Sequence, residues 1–154
     1  MADRVSVTIR IGGVLPRVHL AEFIAAVEEE ALTDPLGEYF TEALITSLAP
    51  LELSANDVAW GRLEALEAFC LAHGLPFERW CGSYPGSWEA ERVVFDGTTE
   101  PRSYTVTEND IVVVTEPEVR SLGSLDAVLA YLRSARPCLP PFVVTDRNEE
   151  QDDG

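Results

Sequence analysis

Cys70, His73 and Cys81 stand in the spacing C-x2-H-x7-C, with Cys138 downstream as a possible fourth ligand. Zinc takes thiolate and imidazole donors, but structural sites usually show short paired spacings on both sides, and only one is present here. Cys70 falls on the apolar stripe of a helix, where a small core hydrophobe accounts for it. His73 falls in that helix's last turn, where partial positive charge is favourable. Nucleophilic catalysis finds little support either. The two histidines, His19 and His73, lie at opposite ends of different predicted helices, and no G-x-S-x-G elbow occurs. Cys81 is the thiol best placed for reaction, because a loop exposes it, but no neighbouring base can be named. Gly12-Gly13 lacks both phosphate-cradling patterns and precedes a Glu-rich helix, so a tight turn explains it better. Carboxylate pairs such as Glu89 with Glu91, or Asp34 with Glu38, are inevitable among 27 acids. The sequence predicts no catalytic residue, no metal and no cofactor.

The stretch Trp80-Cys81-Gly82-Ser83-Tyr84-Pro85-Gly86-Ser87-Trp88 asks for a different account. Gly82, Pro85 and Gly86 make it an irregular loop stiffened by proline. Trp and Tyr dominate binding energy at many interfaces, and two Trp and one Tyr around three turn-formers are hard to bury together. Tyr84 and Trp88 are therefore candidates for contact with a partner, against a core role in which Trp80 faces inward and Trp88 folds over the core edge.

Charge is the strongest signal. The 154 residues carry 27 acids against 11 bases, all of them Arg, for a formal charge of −16. The tail from Asp146 to Gly154 holds five acids and one Arg, so most of the imbalance lies in the body. Between Val18 and Gly61 there are nine acids and no Arg or Lys. Such a field argues against direct contact with nucleic acid or an anionic membrane, both of which call for Lys and Arg. It favours steering toward a basic protein surface. An acidic proteome or a solubility requirement would give the same composition.

The elements that must position these groups follow from periodicity. Arg4 to Ile11 alternates Val5, Val7, Ile9 and Ile11 against polar residues, the pattern of a half-buried strand. From Val18 to Leu32 a helix buries Leu20, Phe23, Ile24 and Val27, points Glu22 and Glu29 away from that stripe and sets Glu28 and Glu30 on its flanks, so that the carboxylates line the exposed face. A short helical piece is expected over Thr41 to Leu48 and a brief strand at Leu51 to Leu53. A helix capped by Ser54, Asn56 or Asp57 then runs to His73, with Gly74 as its left-handed stop. Strands are expected at Phe77 to Cys81 and Arg92 to Asp96. A hairpin at Ser103 to Thr107 and Ile111 to Thr115 follows, with the apolar Ile111-Val112-Val113-Val114 central in the sheet. Ser124 caps a last helix to Ala135 with Leu125, Val128, Leu129 and Leu132 inward, and Phe142 to Val144 adds an edge strand. The expectation is one α+β domain over residues 1–145, three main helices in two layers on a mixed, mostly antiparallel sheet of five to seven strands. An acidic disordered tail would follow at 146–154. With no run long enough to span a bilayer and no signal-peptide core, the expected location is the cytoplasm.

Ser6-Val7-Thr8-Ile9-Arg10-Ile11-Gly12-Gly13 with Leu15-Pro16-Arg17, Leu66-Glu67-Ala68-Phe69 with His73-Gly74-Leu75-Pro76-Phe77, and Leu139-Pro140-Pro141-Phe142 resemble segments of small acidic proteins of plasmids and phages that have no assigned activity. The resemblance implies an accessory function of a mobile element, a class that includes inhibitors of host defence, and it implies no site. The expected function is a non-enzymatic acidic protein that docks on a basic partner surface. Glu22, Glu28 and Glu29 would supply the charge, and Tyr84 and Trp88 an apolar anchor. An inhibitor of a nucleic-acid-binding defence system, acting as a DNA mimic or in the manner of anti-CRISPR proteins, is of this kind. An immunity or antitoxin protein against a basic toxin is the alternative, and a small enzyme using Cys81 or a carboxylate pair is another. Self-association is compatible with each.

Overall fold

The computed structural model describes residues 4–59, 63–84 and 89–146. Trp88 and the tail beyond 146 lie outside them. Among the described residues the chain is α+β, with seven strands and four α-helices.

Strand β1 (Arg4–Ile11) is an inner strand of a five-stranded antiparallel sheet. It pairs with β3 (Leu51–Ala59) on one side and β4 (Phe77–Cys81) on the other. Then come β5 (Glu91–Phe95) and the edge strand β6 (Arg102–Thr105), giving the order β3-β1-β4-β5-β6. Side chains alternate across a pleated strand, so the register assigns each residue a face. Val7, Ile9 and Ile11 share a face with Leu51, Leu53, Phe77 and Phe95, and all are buried. Thr8 and Arg10 share the other with Glu52, Ser54, Glu78, Trp80 and Arg92.

Helices α1 (Leu20–Glu29) and α2 (Glu64–His73) cover the apolar face. α1 follows a 3-10 turn at Arg17–His19 and buries Leu20, Phe23, Ala26 and Val27. α2 buries Leu66, Phe69 and Cys70 and stops at Gly74, whose φ of 65° places it in the left-handed region that glycine tolerates best. Two shorter strands, β2 (Gly13–Pro16) and β7 (Phe142–Thr145), pair in parallel. They bring Phe142 onto Phe23, ring centroids 5.1 Å apart. The segment leading into β7 crosses β1's exit so closely that a Cβ on Gly12 would lie 2.2 Å from the Pro140 carbonyl oxygen.

Part of the opposite face of the sheet is covered over β5 and β6. There α4 (Leu125–Ser134), preceded by α3 (Glu116–Leu122), packs beside a second small cluster of Val94, Tyr104 and Ala135 with Val112 and Tyr131. Helical residues therefore contribute on both faces, which departs from the expected two layers, and α3 makes a fourth helix. Its start is set by a capping box between Thr115 and Glu118 with Pro117 in the first turn.

Three further expectations are corrected. β3 runs on through Asn56 to Ala59, where the start of a helix was predicted, because pairing with β1 outweighs the capping tendency of Ser54, Asn56 and Asp57. Ile111 to Val114 is no central strand. It meets the chain at the end of β6 through an isolated bridge, Val106 to Val112, and a Val113 N–H bond to the Thr105 carbonyl, and Ile111 is 52% exposed. The reason is the turn at Thr107, whose carbonyl accepts from Asp110 N–H and whose N–H donates to Ile111, and which draws the chain across the sheet face to Arg92. On α4, Leu125 is 72% exposed and Leu129 is also exposed, because the helix rests on the sheet margin. The short piece near residues 41–48 is a 3-10 turn at Glu42–Leu44.

Replacing Gly12 by Ala tests the crossing at Pro140. The expected loss is about 3 kcal/mol, the upper end of overpacking costs, read as a lower urea midpoint. A wild-type midpoint would contradict the close approach.

Candidate functional site

The acids of the first helix are positioned from inside. Phe23 packs against Phe40, Phe69 and Phe142 at centroid distances of 6.3, 5.6 and 5.1 Å, which fixes the rotation of α1 about its axis. With that stripe buried, the 3.6-residue period turns Glu22, Glu28 and Glu29 outward, and all three are exposed. Among the described residues no Arg lies within ion-pair distance of them. The Arg side chains with pairs are occupied elsewhere: Arg10 with Glu52 and Glu78, Arg17 with Glu42 and Asp146, Arg79 with Glu67 and Glu91, Arg92 with Asp110, Arg120 with Glu116.

Negative charge continues from the end of α1 to the start of α2. Glu30 accepts a hydrogen bond from the Ala65 backbone N–H at 3.0 Å and so helps to satisfy the first turn of α2. Burial pushes the Glu30 carboxyl above its ordinary range, and Glu29, Glu67 and Glu64 push it further the same way. Four carboxylates thus crowd one helix junction.

Beside α1 the chain from Thr33 to Phe40 folds back on itself. Asp34 Oδ1 accepts from the Leu36 and Glu38 backbone N–H groups, each at 2.9 Å, and Thr33 bridges to Tyr39. Phe40 goes inward against Phe23, and the turn lifts its neighbours into solvent. Tyr39 is 81% exposed and Leu36 89%. Sequence reasoning sought the exposed aromatic at Tyr84 and Trp88 and passed over Tyr39. Tyr84 is half-buried and packs against the core, while Trp88 is outside the described residues. The alternation of Leu36, Tyr39 and Phe40 around Gly37 was the available signal, since three large apolar groups in so short a loop cannot all turn inward.

Trp80 projects from the polar sheet face into a cleft of about 300 Å³ lined by Thr8, Arg10, Glu78, Arg92 and Asp110 among others. Its two guanidinium groups are held within the fold. Arg10 donates to Glu78 at 2.7 Å. Arg92, only 3% exposed, donates to the Asp110 carboxylate at 3.0 Å, to its carbonyl at 2.7 Å, and to the Ala135 carbonyl. Glu108 closes one rim by accepting from the Ser83 hydroxyl and backbone N–H, which lower its carboxyl below the usual range. The bonds of Arg92 fasten the 107–111 turn and the end of α4 to the sheet, and its burial makes it structural, whereas Arg10 is partly exposed and held by Glu52 and Glu78.

The cysteines are not gathered. Cys70 and Cys81 are buried on the core side and Cys138 is exposed. Burial raises both inner thiols, with Arg79 opposing the effect at Cys81. What the fold does gather is the pair of histidines that the sequence placed apart. The rings of His19 and His73 meet with centroids 4.6 Å apart, and Glu22 joins them. No helix among the described residues is long and apolar enough to cross a membrane. No family model, curated protein or solved structure matches the chain.

Two measurements check this geometry. In the native protein a mild alkylating agent should modify Cys138 and spare Cys70 and Cys81 until denaturant is added; rapid native labelling of Cys81 would contradict its burial. Glu30→Gln should raise stability near neutral pH, because the raised carboxyl means that folding disfavours its ionised form. The gain should shrink as pH falls through the raised pKa and vanish below the ordinary carboxylate range, where Glu30 is protonated folded or unfolded. A gain that grows on acidification would reverse the assignment.

Proposed function

We propose that this protein is a non-enzymatic binding protein that docks the outer face of α1 on a basic protein surface. The observation that carries the reading is the segregation of charge: Glu22, Glu28 and Glu29 are exposed without an Arg partner among the described residues, while arginines elsewhere are committed to other carboxylates. An exposed carboxylate row keeps its field available for steering, whereas paired charges cancel at short range. Tyr39 and Leu36 supply the apolar contact that charge alone lacks, since aromatic anchors contribute most of the energy at interfaces. A target whose basic surface ordinarily holds nucleic acid suits this arrangement, and so does a basic toxin. Cys81 faces the core with its thiol pushed up, which supports a binding role over one in nucleophilic catalysis.

Affinity capture with the wild-type protein, Glu28→Lys/Glu29→Lys and Tyr39→Ala tests the proposal. A genuine partner should be a basic protein, released progressively as salt rises, recovered at least about tenfold less by the double charge reversal, and weakened by Tyr39→Ala. Equal recovery by all three proteins across the salt series would overturn it.

A further inference from the structure

The chain contains two histidines, 54 positions apart, and the fold brings both to one place. His19 closes the 3-10 turn at the N-cap of α1, and His73 is the last residue of α2. His73 lies against Phe69, centroids 4.2 Å apart at 31°, so its ring is held by a core residue. Glu22 is three residues beyond His19, the spacing that stacks two side chains on one side of a helical turn. One donor atom from each of His19, Glu22 and His73 lies within 4.8 Å of the others. The imidazoles are partly buried and the carboxylate is exposed, so the cluster opens to solvent on one side.

We propose that His19, Glu22 and His73 bind a single divalent first-row transition-metal ion, Zn²⁺ best matching the donor set. Two imidazole nitrogens and one carboxylate oxygen make a known three-ligand zinc set, leaving a fourth position for water or an external donor. Donors at about 2.1 Å from a tetrahedral ion stand roughly 3.4 Å apart, so the separations present close by small side-chain rotations. The carboxylate cancels part of the ion's charge, and the chain's net charge of −16 raises the local concentration of cations. Imidazole selects zinc, copper and nickel over magnesium and calcium, which prefer oxygen donors throughout. An ion held here ties the start of α1 to the end of α2 and stabilises the folded chain in proportion to its occupancy. The site shares Glu22 with the proposed docking face but not Glu28, Glu29 or Tyr39.

The test uses the full chain, stripped of metal by chelator, with Zn²⁺ and Co²⁺ as probes. Zn²⁺ titration followed by NMR should shift or broaden both imidazole signals, readable directly because the chain has only these two histidines. Calorimetry should give one ion per chain. His19→Ala and His73→Ala should each weaken binding at least about tenfold, Glu22→Gln should weaken it too, and Cys138→Ser should leave it unchanged. Bound Co²⁺ should lack thiolate charge-transfer absorption. Undisturbed imidazole signals in the wild-type protein at saturating Zn²⁺ would overturn the proposal even if a histidine variant failed to fold. Binding abolished by Cys138→Ser would overturn it equally. Loss of partner capture in Glu28→Lys/Glu29→Lys with Zn²⁺ affinity intact would separate the two surfaces.

Discussion

Phe23 is the residue on which the rest of the molecule turns. Fully buried, it touches Phe40 from the loop after α1, Phe69 from α2 and Phe142 from β7. Each contact carries a consequence at the surface. Fixing α1 against the sheet orients its carboxylates outward. Drawing Phe40 inward leaves Leu36 and Tyr39 in water. Holding Phe69 beneath α1 sets His73, whose ring packs on it, against His19. Burial of large aromatic groups at interior packing density leaves little rotational freedom, so the packing of these four phenylalanines within the core decides where the polar groups around them face.

The charged residues obey a second rule. Arg79 and Arg92, 4% and 3% exposed, are each held by carboxylates or carbonyls, as buried cations must be. Arg79 spans Glu67 of α2 and Glu91 of β5, while Arg92 ties the 107–111 turn and the end of α4 to the sheet. With so few bases, using several as internal fasteners leaves Glu22, Glu28 and Glu29 on the outer side of α1 without an Arg partner among the described residues, while at the junction with α2 Arg79 pairs with Glu67. The raised carboxyl of Glu30 is the local mark of that imbalance. The proposed docking function takes this negative region as its basis.

Much of the fold was legible where a single element settles its own state. The strict alternation of Val5, Val7, Ile9 and Ile11, the Ser124 cap and the Gly74 stop all appear where periodicity and capping place them. The misreadings arose where a distant partner decided. Ser54 and Asn56 look like helix caps, yet β1 recruits them into a strand. Ile111 to Val114 looks like a central strand, yet Arg92 holds the preceding turn over the sheet face. The capping box at Thr115 and Glu118 was readable and was hidden by assigning Thr115 to that strand. At the surface, the outward carboxylates of α1 followed from spacing alone. The exposed Tyr39 and the meeting of His19 with His73 did not, since both depend on how the loop and α2 close against Phe23.

The central claim is that negative potential is concentrated on α1 and the adjoining loop. Its most direct measurement is the paramagnetic broadening of backbone amides by a cationic nitroxide, compared with a neutral one of the same shape. The account predicts an excess effect of the cationic probe greatest over residues 22–39 and weaker over the polar cleft of the sheet, where arginines are interleaved. An excess spread evenly over the surface, or strongest at that cleft, would contradict it.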